Sequence, residues 1–513
     1  MALARTHSVA LVGVQGHVIE VEADITSGLP WTVVVGLPDT SLREAKDRIR
    51  AAITNSGEEW PHQKITVGLS PASLPKRGSG FDVAIAVGVL AAAGALPLAA
   101  LDGTMFLAEL GLDGRLRPVP GVLPAVAAAA GAGLGTMVVA AENAAEAALV
   151  PGVRVVPAAS VAALAAWLRG GPVPETDPST ARKPGTVGLV PHRPPADLAE
   201  VLGQAEARRA AEVCAAGGHN LSLLGPPGAG KTMLAERLPT ILPRLEPAAA
   251  LEVTSIHSVA GTLTPETGLV TEPPFCAPHH TASKAAIVGG GSGIIRPGAA
   301  SLAHLGILFL DEAPEFARDV LDALRQPLES GEVVIARSAM CARFPARFTL
   351  VLASNPCPCA KAASSRAGCD CSPAARRRYL SRLSGPLLDR VDVKVELQPV
   401  SRSEMLYDRK LAEPSTVVAE RVAAARARAA HRLRGTPWRL NAEVPGAQLR
   451  RSFAPAPGAL ATLDRAMELG RVSARGADKI VRVAWSLADL AGRNRPTADD
   501  CNSALGLWLG ISR

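Results

Sequence analysis

The chain has 513 residues, 48% of them hydrophobic and 20% charged. That is enough apolar content for buried cores in about three to five domains, and it excludes disorder and collagen-like repeats. Basic side chains exceed acidic ones only by 54 to 47, so the overall field is weak and net charge alone does not argue for a nucleic-acid partner. Eight cysteines are far too sparse for a disulfide scaffold, and a reducing compartment is expected.

In chain order, Arg5 and His7 open an apolar stretch interrupted by Gln15, His17, Glu20, Glu22 and Asp24, which is not the apolar region of a secretion signal. β-branched runs at 9–14, 17–25, 32–35 and 64–68 alternate with Ala-rich helical segments at 39–56 and 81–95, and together they predict an α/β domain over 1–169. Two uncharged stretches, 83–101 and 118–141, reach membrane-spanning length but are rich in Ala and Gly and broken by Pro97, or by Pro120 and Pro124. They are read as buried helices of a cytoplasmic protein with no membrane partner. Residues 170–196 are Pro-rich without an apolar period and predict an extended linker. A second α/β unit follows over 197–398, with a helix at 198–216 and a strand at 220–224. From 399 to 513 the helical period takes over, with segments near 416–434, 457–469, 473–491 and 497–509, the last opened by Thr497 and two aspartates.

The strand at 220–224 runs into Gly225-Pro226-Pro227-Gly228-Ala229-Gly230-Lys231-Thr232 and then a helix, the context that the G-x-x-x-x-G-K-[ST] phosphate loop requires. Glycines let backbone N–H groups turn around phosphates, Lys231 supplies a point charge, and the Thr232 hydroxyl suits Mg²⁺. About eighty residues on, Gly306-Ile307-Leu308-Phe309-Leu310-Asp311-Glu312 reads as a buried strand ending in two carboxylates. A nucleotide hydrolase needs such a pair, Asp311 for the Mg²⁺ shell and Glu312 to polarise water. A third strand, 348–354, ends at Asn355, which suits a contact to the γ-phosphate or the lytic water; an ordinary Asn-Pro turn is the alternative.

These motifs, in this order, resemble the AAA+ ATPases, and within them the Mg-chelatase-like branch called the ComM or YifB family. The resemblance spans nearly the whole chain. It is carried by Gly203-Gln204, by Ala215-Ala216-Gly217-Gly218-His219-Asn220, and by Ala277-Pro278-His279-His280-Thr281-Ala282-Ser283 with Gly289-Gly290-Gly291. It continues through Ser301-Leu302-Ala303-His304, Asn355-Pro356-Cys357-Pro358-Cys359 and Leu383-Ser384-Gly385-Pro386-Leu387-Leu388-Asp389-Arg390. The resemblance implies an AAA+ core with a parallel sheet and a helical lid domain, with ATP and Mg²⁺ as ligands. It implies Asn355 as sensor 1, Arg390 as an arginine finger for a neighbouring subunit, and Arg475 as the sensor 2 arginine, with Arg482 as a substitute. A homo-oligomeric ring follows from an arginine supplied in trans, and the resemblance implies a hexamer. Departures are Cys276, where relatives carry Arg, and Ala299, where they carry Glu.

The alternating segment 332–344 reads as a β-hairpin, which in the resembling family projects into the ring channel; Arg337 and Arg343 on it, and the glycine-rich loop around Lys284, are candidate DNA contacts. Cys357-x-Cys359 and Cys369-x-Cys371 offer four thiolates to a tetrahedral zinc ion, reduced loop thiols being the alternative. Lys361, Arg366, Arg376, Arg377, Arg378 and Arg382 form the densest basic cluster, read equally as a nucleic-acid patch or a solvated loop. The first domain resembles the ChlI-type module of the Lon protease and ribosomal S5 superfamily, with Gly80 and Leu123 where a protease would need Ser and Lys. The expected activity is that of an ATP-hydrolysing, helicase-type motor acting on single-stranded or branched DNA, in branch migration during recombination or natural transformation. The alternative is the AAA+ subunit of a magnesium-chelatase-like metal-insertion complex.

Overall fold

The computed structural model describes residues 3–35, 40–74, 76, 78–174, 196–264, 267–291, 295–337, 340–359 and 369–510; most of the linker expected at 170–196 lies outside them. The N-terminal sheet starts with β1 (Ala4–Val12) and β2 (Gln15–Thr26), paired antiparallel around a turn where Gly13 takes a left-handed φ of 65°. Ile19, Val21, Ala23 and Ile25 are buried while their neighbours in β2 are not, the period of two expected of a strand. With β3 (Trp31–Val35), β4 (Lys64–Ser70), β5 (Thr104–Leu107), β6 (Thr136–Ala140) and β7 (Arg154–Ala158) the order is β3-β4-β2-β1-β5-β6-β7. Helix α1 (Thr40–Asn55) and the wholly buried α2 (Asp82–Ala92) join the apolar cluster on one face, and α3 (Val122–Gly131) joins that on the other. A short α4 (Val161–Leu168) closes the unit.

The uncharged stretch 83–101 is a buried helix in its first half, as expected, but 118–141 is not one element. Its helix stops at Gly131, Gly133 has a φ of 89°, and the β-branched residues behind it form β6. No helix among the described residues is long and apolar enough to cross a membrane.

The second sheet is parallel throughout. Its strands are β8 (Leu221–Leu224), β9 (Phe275–Cys276), β10 (Ile307–Leu310), β13 (Thr349–Ser354) and β14 (Val393–Glu396), in the order β9-β10-β13-β8-β14; the hairpin β11 (Glu332–Arg337) and β12 (Met340–Pro345) stands apart from it. The strands are short, nearly continuous apolar runs, as sheets covered on both faces require. The helix expected at 198–216 is split. Asp197 caps a 3₁₀ turn at Leu198–Glu200, Gly203 turns at φ 72°, and α5 (Ala205–Gly217) begins afresh. A Cβ at Gly203 would lie 2.0 Å from Val400, and its N–H donates to Asp408 at 2.6 Å, so residues two hundred positions away impose the break.

Helix α6 (Lys231–Arg237) follows the phosphate loop, and α7 (Pro247–Ala260) docks on the first unit. Ser258 of α7 donates to the buried Glu146 carboxylate, which also accepts from Leu123 N–H at 2.9 Å, and Gly121 N–H donates to the Ser258 carbonyl at 3.1 Å. The hairpin is a second contact. Phe344 and Ala342 are buried against Val259 and Ile295, with Leu11 and Val14 from the first turn of the N-terminal unit packed alongside. One face of the hairpin is thus covered by the chain's own first domain, while Arg343, on the opposite face, is exposed.

After helix α8 (Pro373–Leu380), the C-terminal unit is built on α9 (Ser415–Arg432), α10 (Ala474–Leu490) and α11 (Ala498–Leu509), packed in one apolar cluster with α5 and β8. Arg432 forms a two-point ion pair with the buried Asp489, at 2.6 and 2.7 Å, while its guanidinium stacks 4.0 Å over Trp485. His219, between α5 and β8, is fully buried with Nε2 2.7 Å from the Ser486 hydroxyl of α10. Burial pushes its pKa down to about 4, against an ordinary 6.5, with Asp392 opposing and Arg482 and Lys479 reinforcing the shift.

A neutral buried histidine has a folded pKa below its unfolded one, so the unfolded chain binds the extra proton between these values, and stability is lost as pH falls below the unfolded pKa. From pH 7 to pH 5 this group should remove about 2 kcal/mol of stability. Denaturant unfolding of the chain and of His219→Gln at both pH values measures it; equal pH dependence in the two proteins contradicts the assignment.

Candidate nucleotide site

The phosphate loop leaves the C-terminal end of β8, between β13 and β14. Gly225 N–H donates to the Ser354 carbonyl at 3.1 Å, and a Cβ on Gly225 would meet the Leu397 carbonyl at 2.7 Å, so the loop starts with the backbone pressed between two neighbours. Gly228 and Gly230 have φ of 77° and 92° with open space where a Cβ would stand, so conformation alone demands glycine there. Pro226 is buried and Pro227 exposed at the tip. Gln204, buried ahead of α5, donates to the Ala229 carbonyl at 3.1 Å and to that of Gln398 at 2.7 Å, tying the loop to the chain leaving β14.

Lys231 is buried to 8% exposure and donates to the carbonyls of Gly225 at 2.6 Å and Pro226 at 3.0 Å and to Asn355 Oδ1 at 3.0 Å. Burial lowers its pKa, and the carboxylates of Asp311 and Glu312 oppose the shift. Thr232 donates its hydroxyl to Asp311 Oδ2 at 2.8 Å. The ammonium, the hydroxyl, both carboxylates and the Asn355 amide, far apart in sequence, therefore converge at the C-terminal ends of β8, β10 and β13. The loop amides and the ammonium suit a triphosphate, and the Thr232 and Asp311 oxygens are a donor set suited to Mg²⁺.

Glu312 occupies a left-handed backbone conformation, φ 51°, rare for a residue with a side chain. Its N–H donates to Asp311 Oδ1 at 2.9 Å, and its carboxylate lies 3.4 Å from His280 Nδ1, whose ring stacks on His279 at 4.1 Å. No local sequence pattern marks a chemical role for His280. It lies just beyond β9, and only the β9–β10 pairing brings it beside Glu312.

Arg390 and Arg475 are not part of this cluster. The parallel register sets Leu221 against Val393 and Leu224 against Glu396, and Asn220 donates to the Arg390 carbonyl at 2.8 Å. Arg390 therefore sits at the sheet edge where β8 begins, and the phosphate loop at the edge where it ends, four residues or about 13 Å of strand apart. Its guanidinium pairs with Glu329 and donates to the Pro386 carbonyl at 3.0 Å; burial lowers its pKa, with Arg475 and Arg325 adding to the effect. Arg475 lies beside it, 3.8 Å from Asp389 and well exposed. Arg482 is turned inward and donates to the Val444 carbonyl at 2.7 Å.

Among the DNA candidates, Lys284 is exposed and Arg343 is paired with Glu332 of its own hairpin at 2.6 Å. Arg376, Arg377 and Arg378 lie on α8, and Arg382 pairs with Glu315 at 2.8 Å. The side chain of Arg337, and Lys361 and Arg366, lie outside the described residues. Cys357, Cys359, Cys369 and Cys371 converge in one cluster. In the first domain Ser79 donates to Glu109, Lys76 donates to the carbonyls of Pro71 and Leu74, and Leu123 is fully buried. Among the described residues there, Ser79 and Lys76 thus bond to other partners and form no dyad.

Comparison with known proteins covers the same units. The family model described as subunit ChlI of Mg-chelatase matches residues 21–143, that of magnesium chelatase, subunit ChlI, matches 197–405, and its C-terminal counterpart matches 412–507. The chain is 52% identical over 505 residues to an uncharacterized protein of Mycobacterium tuberculosis, covering 98% of each chain. It is 39% identical over 510 residues to the competence protein ComM of Haemophilus influenzae, covering 99% of this chain and 97% of that one. It is 40% identical over 492 residues to the uncharacterized protein YifB of Escherichia coli, covering 96% and 94%.

The geometry separates two substitutions. Lys231→Ala should abolish ATP binding in a calorimetric titration, whereas Glu312→Gln should bind ATP with affinity close to the unaltered protein and hydrolyse it about 100-fold more slowly. Equal loss of binding in both variants would contradict the division of labour.

Proposed function

Since the chain belongs to the ComM/YifB family of magnesium-chelatase-like AAA+ ATPases, we propose that it is a cytoplasmic ring motor, a hexamer, that spends ATP to move single-stranded or branched DNA in branch migration during recombination or natural transformation. The observation that carries this reading is the division of the catalytic groups between two edges of one sheet. Lys231, Thr232, Asp311, Glu312 and Asn355 gather at one edge, Arg390 and Arg475 at the other. Residues so divided serve a single nucleotide when a second copy brings its arginine edge to the first copy's loop.

In this reading the loop amides and Lys231 bind the β- and γ-phosphates, Thr232 and Asp311 hold Mg²⁺, and Glu312 accepts the proton of the attacking water. When bound, Mg²⁺ neutralises charge on the phosphate oxygens. Asn355, hydrogen-bonded to Lys231, marks the γ-phosphate position, and His280 orients the Glu312 carboxylate. Arg390 from the neighbouring subunit, with Arg475 beside it, stabilises charge developing on the γ-phosphate, so turnover requires assembly. DNA as substrate is supported by the likeness to a competence protein, and by the exposed Lys284 and the arginines of α8.

ATP turnover should rise about tenfold on adding single-stranded or branched DNA and stay at background in Glu312→Gln. A rate indifferent to every DNA, but raised by a porphyrin-type substrate and partner subunits, would favour the metal-insertion alternative. Arg390→Ala should bind ATP without turning it over, and mixing it with Lys231→Ala should restore part of the activity, because mixed rings contain some interfaces with an intact loop and an intact arginine. Mixtures as inactive as their components would sink the trans assignment.

A further inference from the structure

Directly beyond Asn355 the chain forms a cage of sulfur. Cys357 is buried and Cys359, Cys369 and Cys371 half-buried, all four are free thiols, and their sulfurs lie within 4.8 Å of one another. The closest approaches are 3.2 Å between Cys357 and Cys359, 3.3 Å between Cys369 and Cys357, and 3.5 Å between Cys359 and Cys369. Metal–sulfur bonds of about 2.3 Å in a tetrahedron put the sulfurs about 3.8 Å apart, so the three closest approaches lie within about half an ångström of that spacing and no pair exceeds it by more than about 1 Å. Two disulfides would instead draw sulfurs together in pairs at about 2 Å. The backbone amide of Cys359 favours the thiolate forms of Cys357 and Cys371, and that of Cys371 favours the thiolate of Cys369. Such donors stabilise thiolate charge on a metal.

What the cage joins gives it a consequence. On one side, Pro356 links it to Asn355, whose Oδ1 receives the Lys231 ammonium at 3.0 Å. On the other, Ser372 caps α8, which bears Arg376, Arg377 and Arg378 and buries Tyr379. We propose that Cys357, Cys359, Cys369 and Cys371 bind one zinc ion, which pins the chain after Asn355 and thereby holds that amide against Lys231 while anchoring the arginine-bearing helix. An all-thiolate tetrahedral site with every position filled by protein is structural, with no open coordination place for chemistry. The positioning role rests on the nucleotide-site reading; the metal site does not.

The test uses the full chain. Metal analysis of the purified protein should give about one zinc per chain, and growth with Co²⁺ should give the thiolate-to-cobalt charge-transfer band and intense d–d bands of a tetrahedral sulfur site. Cys369→Ser/Cys371→Ser, remote from Asn355, should lose both signals, whereas Cys371→His should keep the ion with one nitrogen ligand. The double variant should bind ATP within about twofold of the unaltered protein but turn it over about tenfold more slowly, and the histidine variant should recover most of that loss. Protein free of stoichiometric metal after purification and after reconstitution with zinc, or a cobalt spectrum that is not tetrahedral thiolate, overturns the site. Metal present but turnover unchanged in the double variant overturns the positioning role alone. The nucleotide-site reading is judged separately, since Lys231→Ala does not touch the cysteines.

Discussion

The ammonium of Lys231 is carried into a place where only 8% of the side chain meets solvent, and an ion so placed must be compensated by the atoms around it. Two carbonyls of its own loop and the Asn355 amide oxygen do so, and the Asp311 and Glu312 carboxylates add a longer-range field. These partners come from three different strand ends. The compensation therefore exists only if β8, β10 and β13 lie side by side in parallel register, with their C-terminal ends level. That parallel packing is the constraint on which the rest of the site depends. Gln204 braces the loop from below, and Thr232 and Asp311 meet at its rim.

The same sheet sets a distance as well as a meeting place. A strand brings residues at its two ends no closer than its own length, so Arg390, pinned to Asn220 where β8 begins, is held away from the loop where β8 ends. That separation is why the proposed reading assigns Arg390 to the nucleotide of a neighbouring copy. The N-terminal unit adds a further connection. Its first turn packs on the hairpin and its Glu146 accepts from Ser258 of α7, so the first domain touches the second unit through apolar contact and a part-buried hydrogen bond.

Local chemistry was legible in the sequence wherever a motif is contiguous. The phosphate loop, the strand ending in Asp311 and Glu312, the hairpin and the capped last helix each declare themselves within a dozen residues, because glycine conformation, apolar period and capping act over that range. What was not legible is whatever depends on which strands are neighbours. The approach of His280 to Glu312 follows from the β9–β10 pairing, which no local pattern states. The break at Gly203 follows from Val400 and Asp408. The misjudged stretch 118–141 failed for another reason: alanine is compatible with both helix and strand cores, and the glycines at 131, 133 and 135 were outweighed by the length of the uncharged run. The four cysteines were visible as spacing, but their convergence is a fact of the fold.

The two arginines of that edge are held differently. Arg390 pairs with Glu329 and Arg475 lies near Asp389, and both carboxylates are more than half exposed. The Arg475 pair is exposed on both sides, so it contributes about 0–1 kcal/mol and little is lost when that guanidinium turns to another anion, whereas the Arg390 side chain is only 13% exposed. Arg390, Arg475 and Arg325 also repel one another, which raises the free energy of the edge as it stands and is relieved by a partner of higher negative charge. On the proposed reading, a triphosphate held on a neighbour's loop is such a partner. The buried ammonium is compensated within its own chain and keeps the loop in shape, while the arginine edge would gain a further anion when two chains meet.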